Sequence, residues 1–257
     1  DLEKLRHRLH PSHLKKITEV TEEPLEEEVL VGMLRDKGPL SEILPEYQSR
    51  QEQIAMIKAV SRAINDERHL LVEAGTGVGK SIAYLLPAIL SAVRKGKKVV
   101  ISTNTINLQE QLFHKDIPTA VAVLERINEI TPGELRSSML KGRTNYLCMR
   151  RWTRMRSAEG LSIDEARFHG KLLMWLQDTE TGDRAEIVLG GPENGIWDRY
   201  SAQGSTECPV PGGSPCCLQA ARERASDANV VVINHALLLE DLQQGGGLVP
   251  DYDSIII

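Results

Sequence analysis

The stretch "LLVEAGTGVGKSIAYLLPA", residues 70–88, decides the fold. An apolar run enters it, three alternating glycines follow, and a Lys-Ser pair opens a second apolar run. Gly75, Gly77 and Gly79 let the main chain curl so that successive N–H groups face inward at the start of a helix, a nest for an anion. Ala74, Thr76 and Val78 complete the loop. In such a turn Lys80 reaches the β- and γ-phosphates of a nucleotide, and the Ser81 hydroxyl ligates Mg²⁺. ATP with Mg²⁺ is the expected ligand. The general pattern has Gly at its first position, where this chain has Ala74.

Working outward, "HLLVE" (69–73) and "KVVIST" (98–103) read as buried strands, and "SIAYLLPAILSAV" and "INLQEQLFHKDI" as helices. "RQEQIAMIKAVSRAI" (50–64) has apolar residues at helical spacing. "NVVVINHALLLEDL" (229–242) repeats strand then helix, and "SIII" opens another strand. Strands apolar throughout and alternating with helices predict an α/β fold with a parallel sheet covered on both faces. The pattern changes in the middle, where helices, polar loops and every cysteine collect, so an inserted, mostly helical subdomain is expected there. The expected organisation is an acidic lead-in or linker over 1–45, the first part of the α/β domain over 46–140, the insert over 141–228, and the domain continued over 229–257. For the lead-in ("EVTEEPLEEEVL", 19–30), a solvated charged face is the expectation.

Composition sets bounds. The chain has 257 residues and a formal net charge of −5, so any case for nucleic acid must be local. No run approaches the roughly 20 apolar residues of a membrane-spanning helix, and no membrane partner is expected. Four cysteines are too few for a disulfide scaffold, which points to a cytoplasmic protein. The chain begins without Met and stops inside an apolar β-branched run, and is expected to be a fragment.

With these residues in view, the chain from about Tyr47 to Ile257 resembles the DinG/XPD-like group of superfamily 2 DNA helicases, whose fold is a P-loop, RecA-like domain. The Ala74 form of the phosphate loop is the helicase-type variant. "YQSRQEQIAM" (47–56) is similar to an adenine-side Q motif, which implies that Gln53 reads the adenine edge with Arg50 nearby. "VVISTNTINLQEQL" (99–112) is similar to a motif that holds single-stranded DNA, which implies phosphate contacts from Thr103 and Thr105, supported by Gln111. "LKGRTNYLCMRRW" (140–152) and "NVVVINHALLLEDL" also look like the family. In the latter, Asn234 suits a helix N-cap and His235 reads as a structural histidine. "DYDSIII" (251–257) looks like the strand leading into an acidic D-E-A-H box, which the chain is expected to stop short of.

The resemblance also bears on the cysteines. It implies a [4Fe–4S] cluster on Cys148, Cys208, Cys216 and Cys217, one thiolate per iron. The separations of 60, 8 and 1 do not supply the paired knuckles of a zinc site, and buried free thiols are the alternative. Either Cys216 or Cys217 suits the last ligand. Around Cys148, the cations Lys141, Arg143, Arg150, Arg151, Arg154 and Arg156 interleave with Tyr146 and Trp152, as single-strand binding requires; pairing with the chain's own acids is the alternative.

The reading is an ATP-dependent DNA helicase in the full-length parent, with 5′→3′ polarity implied by the resemblance and single-stranded DNA and duplex junctions as partners. Lacking the acidic box and a second motor domain, the segment itself is expected to bind nucleotide without steady turnover. The alternative is a non-translocating single-strand-binding module.

Overall fold

The computed structural model describes residues 2–9, 20–21, 23–75, 77–157, 159–204 and 215–257. Three helices lead in: α1 (Leu2–Leu9), α2 (Glu27–Met33) and α3 (Pro39–Ile43). Then come α4 (Gln51–Asn65), α5 (Lys80–Arg94), β1 (Val99–Thr103), α6 (Ile106–Gln111), α7 (Ile117–Arg126) and β2 (Ser137–Met139). The middle of the chain forms α8 (Met149–Met155), α9 (Ile163–Asp178), α10 (Glu193–Tyr200) and α11 (Cys217–Asp227). β3 (Val230–Asn234), α12 (His235–Gln244) and β4 (Ser254–Ile256) follow.

The four strands form one parallel sheet in the order β2-β3-β1-β4. Register divides the core in two. Val99 lies opposite Val230 and Ile101 opposite Val232, and these side chains enter one cluster with α2, α4, α5 and α7. Val100 lies opposite Val231, and together with Ile233 they enter the other cluster, with the aromatic side chains of residues 141–228. An uninterrupted apolar run suits such strands because neither face meets water.

Two expectations change. Residues 69–73 form no strand, and Leu71 is 99% exposed. The sheet ends at β4 on one side and at β2 on the other, and the segment pairs with neither edge. The acidic lead-in, in turn, is packed rather than a solvated linker. Leu30, Val31, Met33, Leu34 and Leu40 are buried in the first cluster, and Leu5 and Leu9 in the second. Its charges lie outward while the leucines at helical spacing point in. α1 is tied to the middle of the chain by Arg224 Nη1, which donates to Leu9 O at 2.7 Å, and by Arg8 Nη2, which donates to Leu176 O at 2.8 Å.

Among the described residues of 141–228, no core forms apart from the sheet. Tyr146, Trp152, Phe168, Trp175, Trp197 and Tyr200 pack into the cluster that also takes Val100, Val231 and Ile233 from the sheet. Among the described residues no helix is long and apolar enough to cross a membrane.

His169 sits in this cluster, its ring edge-on to Trp152 and Tyr200 and its Nε2 2.5 Å from Tyr200 Oη. Burial holds its pKa below the ordinary value, with Arg199 adding and Glu165 opposing. As pH falls through the ordinary imidazole range, the unfolded chain therefore takes up a proton that the folded chain refuses. Stability should drop over that interval, down to the folded-state pKa. Urea midpoints at pH 7.5 and 5.5 check this, and His169→Gln should flatten the difference.

Candidate nucleotide and nucleic-acid site

The phosphate loop runs into α5 without a side-chain cap; Gly79, left-handed at φ 78°, is the N-cap residue, and Gly77 has φ 77°. These are the two loop positions that only glycine adopts without strain. Lys80 folds back over the loop, and its Nζ donates to Ala74 O at 2.9 Å and Gly75 O at 2.8 Å. Two neutral carbonyls are weak partners for a full cation, so exchanging them for phosphate oxygens is favourable. Thr76 lies outside the described residues.

Gln53 is buried, 2% exposed, and both ends of its amide are engaged. Its Nε2 donates to Gly79 O at 2.9 Å, and its Oε1 lies 2.7 Å from the Tyr47 hydroxyl. The expected adenine reader thus braces the phosphate loop. A Cβ on Gly79 would come within 2.2 Å of Gln53 Nε2, and one on Gly77 would meet the Arg50 guanidinium at 4.0 Å. Arg50 therefore borders the loop. Tyr47 was not expected to take part.

Ser81 opens α5 beside Tyr84 and Asp116. Burial raises the Asp116 carboxyl above its usual range, opposed by hydrogen bonds from Ser81 and from the Gln111 amide. Asp116 ends a π-helical turn, Leu112–Asp116, in which Ile117 N–H reaches Leu112 O. Pro118 follows; having no N–H, it cannot continue an α-helical ladder, and the wide turn absorbs the mismatch. A hydroxyl and a carboxylate are hard oxygen donors of the kind Mg²⁺ takes. Gln111, expected beside the nucleic acid, is exposed at the end of α6.

Thr103 ends β1, and Thr105 caps α6 by accepting from Leu108 N at 3.2 Å. The Thr103 hydroxyl donates to Thr105 O at 3.1 Å. Residues 104–108 are exposed, so this strand exit presents an open ridge. Beside it, Asn234 caps α12 by accepting from Leu237 N at 2.9 Å, as expected, and His235 Nδ1 lies 2.7 Å from Ser102 Oγ, joining the two strand exits.

The basic run beyond β2 divides between surface and core. Arg150, Arg154 and Arg156 are exposed, and none of Arg143, Arg150, Arg151, Arg154 and Arg156 forms an ion pair among the described residues. Arg143 donates to Gly204 O at 3.0 Å and Arg151 to Gln203 O at 2.6 Å, tying down the chain before residue 205. Three members are corrections. Lys141 is buried between Glu110 and Asp183, so it cannot reach a phosphate. Tyr146 is 2% exposed with its hydroxyl accepting from Lys141 N at 3.0 Å, and Trp152 is buried, so neither ring has an open face on which a base could stack.

Cys148 caps α8 and Cys216 caps α11, and both are half-buried. Cys217 is fully buried in the second cluster with Ala220 and Ala221. Its thiol is pushed up to about 12, first by burial and then by its neighbour Cys216. Cys208 lies outside the described residues. Among the described residues no group of three or more His, Cys, Asp or Glu side chains is arranged to hold a metal ion. Cys217 is the deepest of the three described thiols and packs there as a small apolar side chain.

A glycine-rich loop that meets the N-terminus of a helix with Lys80 and Ser81, beside a parallel sheet, defines a nucleotide-binding α/β domain of the P-loop class. The chain matches the DEAD/DEAH box helicase family model over residues 50–146. It is 35% identical to the ATP-dependent DNA helicase YoaA of Haemophilus influenzae over 85% of this chain and 34% of the relative. It is 34% identical to the ATP-dependent helicase DinG of Mycobacterium tuberculosis over 81% of this chain and 33% of the relative. Likeness to the 3'-5' exonuclease DinG of Bacillus subtilis is 33%, over 85% of this chain and 23% of the relative. The chain thus spans about a third or less of the length of these proteins.

Gly182 has φ 71°, and a Cβ there would fall 2.3 Å from Cys217 Sγ. Gly182→Ala should therefore cost about 2 kcal/mol or more through overpacking and backbone strain. A thermal midpoint close to wild type in differential scanning calorimetry would contradict this packing.

Proposed function

We propose that this chain is the N-terminal motor segment of an ATP-dependent DNA helicase, taking up ATP–Mg²⁺ at Ala74–Ser81 and single-stranded DNA along the exits of β1 and β3. The observation that carries the proposal is Lys80, held by two neutral carbonyls inside a loop whose Gly77 and Gly79 are left-handed. Bound ATP–Mg²⁺ would supply the phosphoryl group and the charge that neutralises it. On the protein side, Lys80 and the loop N–H groups bind the phosphate tail, Ser81 and Asp116 offer oxygen to the metal, and Gln53 fixes the loop against Tyr47. Turnover belongs to the longer protein with a second motor domain, in the 5′→3′ sense and on duplex junctions in the cytoplasm. The nuclease in the Bacillus subtilis relative's name is not carried over.

Thr103 and Thr105 on one side and the exposed Arg150 and Arg154 on the other supply strand contacts, by phosphate attraction rather than ring stacking. A cluster in the cysteine region would draw on Cys148 and Cys216, with Cys217 kept in the core as a small apolar side chain.

Calorimetry tests the nucleotide site. The wild type should take up Mg²⁺-dependent ATP, and Lys80→Ala should weaken that at least about tenfold, roughly 1.4 kcal/mol. No uptake by a folded wild type would end the motor reading. On single-stranded DNA, Arg150→Ala should lower the log–log salt slope by about 0.7; an unchanged slope would remove Arg150 from the contact. Anaerobic iron and sulfide assay tests the thiols. Cys217→Ala should keep its iron, whereas Cys148→Ser and Cys216→Ser should lose most of it. A folded Cys217→Ala protein without iron would return Cys217 to the ligand set.

A further inference from the structure

Lys141 is the most buried cation among the described residues, with its side chain 1% exposed. Its Nζ lies 2.6 Å from Asp183 Oδ2 and pairs with Glu110 Oε1. The three charges come from three parts of the fold. Lys141 follows β2, Glu110 lies in the last turn of α6, and Asp183 sits in the middle segment, where it bridges Tyr146 and caps the next turn through Ala185 N at 2.9 Å. We propose that this triad is a positioning device: it locks the short helix behind Thr103 and Thr105 to the segment that carries Arg150 and Arg154, and so fixes the spacing between the two halves of the strand-binding surface. This rests on the single-strand reading above.

The helix it holds starts at the strand exit and runs on through the π-helical turn into α7, so its N-terminal end, α6, is the part that the triad anchors. Thr105 caps one end, and near the other the buried Gln109 amide donates to Leu140 O and Val232 O, both at 2.9 Å. Those bonds tie α6 to the sheet, whereas Glu110–Lys141–Asp183 is the link that continues past the sheet into the middle segment. Glu110 Oε2 also lies 3.0 Å from His114 Nε2, which carries the link toward the π-helical turn and Asp116. Buried ion pairs contribute little net stability compared with an uncharged replacement, and fixing register is their best-attested use.

The test compares the wild type with the near-isosteric, uncharged Lys141→Met/Glu110→Gln/Asp183→Asn triple variant; Lys141→Met alone strands two carboxylates and serves only as a folding control. Fluorescence anisotropy with labelled oligo(dT), thermal melts and amide hydrogen exchange are read together. The triple variant should fold with a midpoint near wild type yet bind oligo(dT) roughly tenfold more weakly. Thr103→Val and Arg150→Ala, non-additive in the wild type, should become additive in its background. Exchange in 106–111 and in 183–186 should quicken together. A folded triple variant with wild-type affinity, one that weakens but keeps the non-additivity, or one in which only one segment exchanges faster would overturn the proposal. Failure of the wild type to bind oligo(dT) would instead sink the single-strand reading, and the exchange measurement would still decide whether the two segments are joined.

Discussion

The parallel pairing of β1 with β3 is the constraint on which the rest of the molecule depends. Five residues on each strand run in register from Val99–Val230 to Thr103–Asn234, so the apolar side chains leave alternately into two cores. Both strands end at the same level, and each runs directly into a capped helix, α6 from Thr105 and α12 from Asn234. Two polar strand exits are thereby held side by side and bridged by Ser102 and His235. No loop has to find its own place to build this edge.

The nucleotide loop is held differently. The segment entering it, residues 69–73, lies in no strand, so the loop takes its position from α5 behind it and from α4 beside it. Gln53 is the strut, one turn into α4, spanning Tyr47 and Gly79. A loop fixed by a few hydrogen bonds rather than by a sheet can change shape at low cost, and Lys80 on neutral carbonyls is set to exchange them for charged ones. α6 runs on through the π-helical turn that ends at Asp116, so the helix that starts at the strand exit leads back toward the nucleotide loop, and burial raises the Asp116 carboxyl there.

Local sequence carried much of this. The glycine spacing before Lys80-Ser81, the unbroken apolar runs of β1 and β3, and the Asn234 cap were legible because each is written within a few consecutive residues. What stayed hidden depends on distant partners. Residues 69–73 carry a good strand pattern, but a pattern cannot supply a neighbouring strand. Lys141 reads as one more cation in a basic run, and its partner Glu110 lies 31 residues upstream. Gln109 is closer to a legible miss. It lies two residues before Gln111 on a helix whose apolar face was visible, and helical phase alone turns the first inward and the second outward.

The same alternation explains how one short stretch can be both core and surface. From Leu140 to Trp152 the chain moves from strand exit through a turn into α8, and the buried positions are Leu140, Lys141, Tyr146, Leu147, Met149 and Trp152. Arg150 falls on the opposite side of α8 from Trp152 and faces water. A buried lysine there is tolerable because two carboxylates answer it, and it gives three segments a shared polar anchor inside an otherwise apolar contact. Among the described residues the exposed arginines meet none of the chain's own acids in an ion pair. On a protein with a formal net charge of −5, they form a local excess of positive charge. The aromatic rings that seemed fit to grip bases instead hold the arginines' helix rigidly against the sheet. The surface therefore presents exposed cations on a helix whose position the buried rings set, and no open ring beside them among Tyr146 and Trp152.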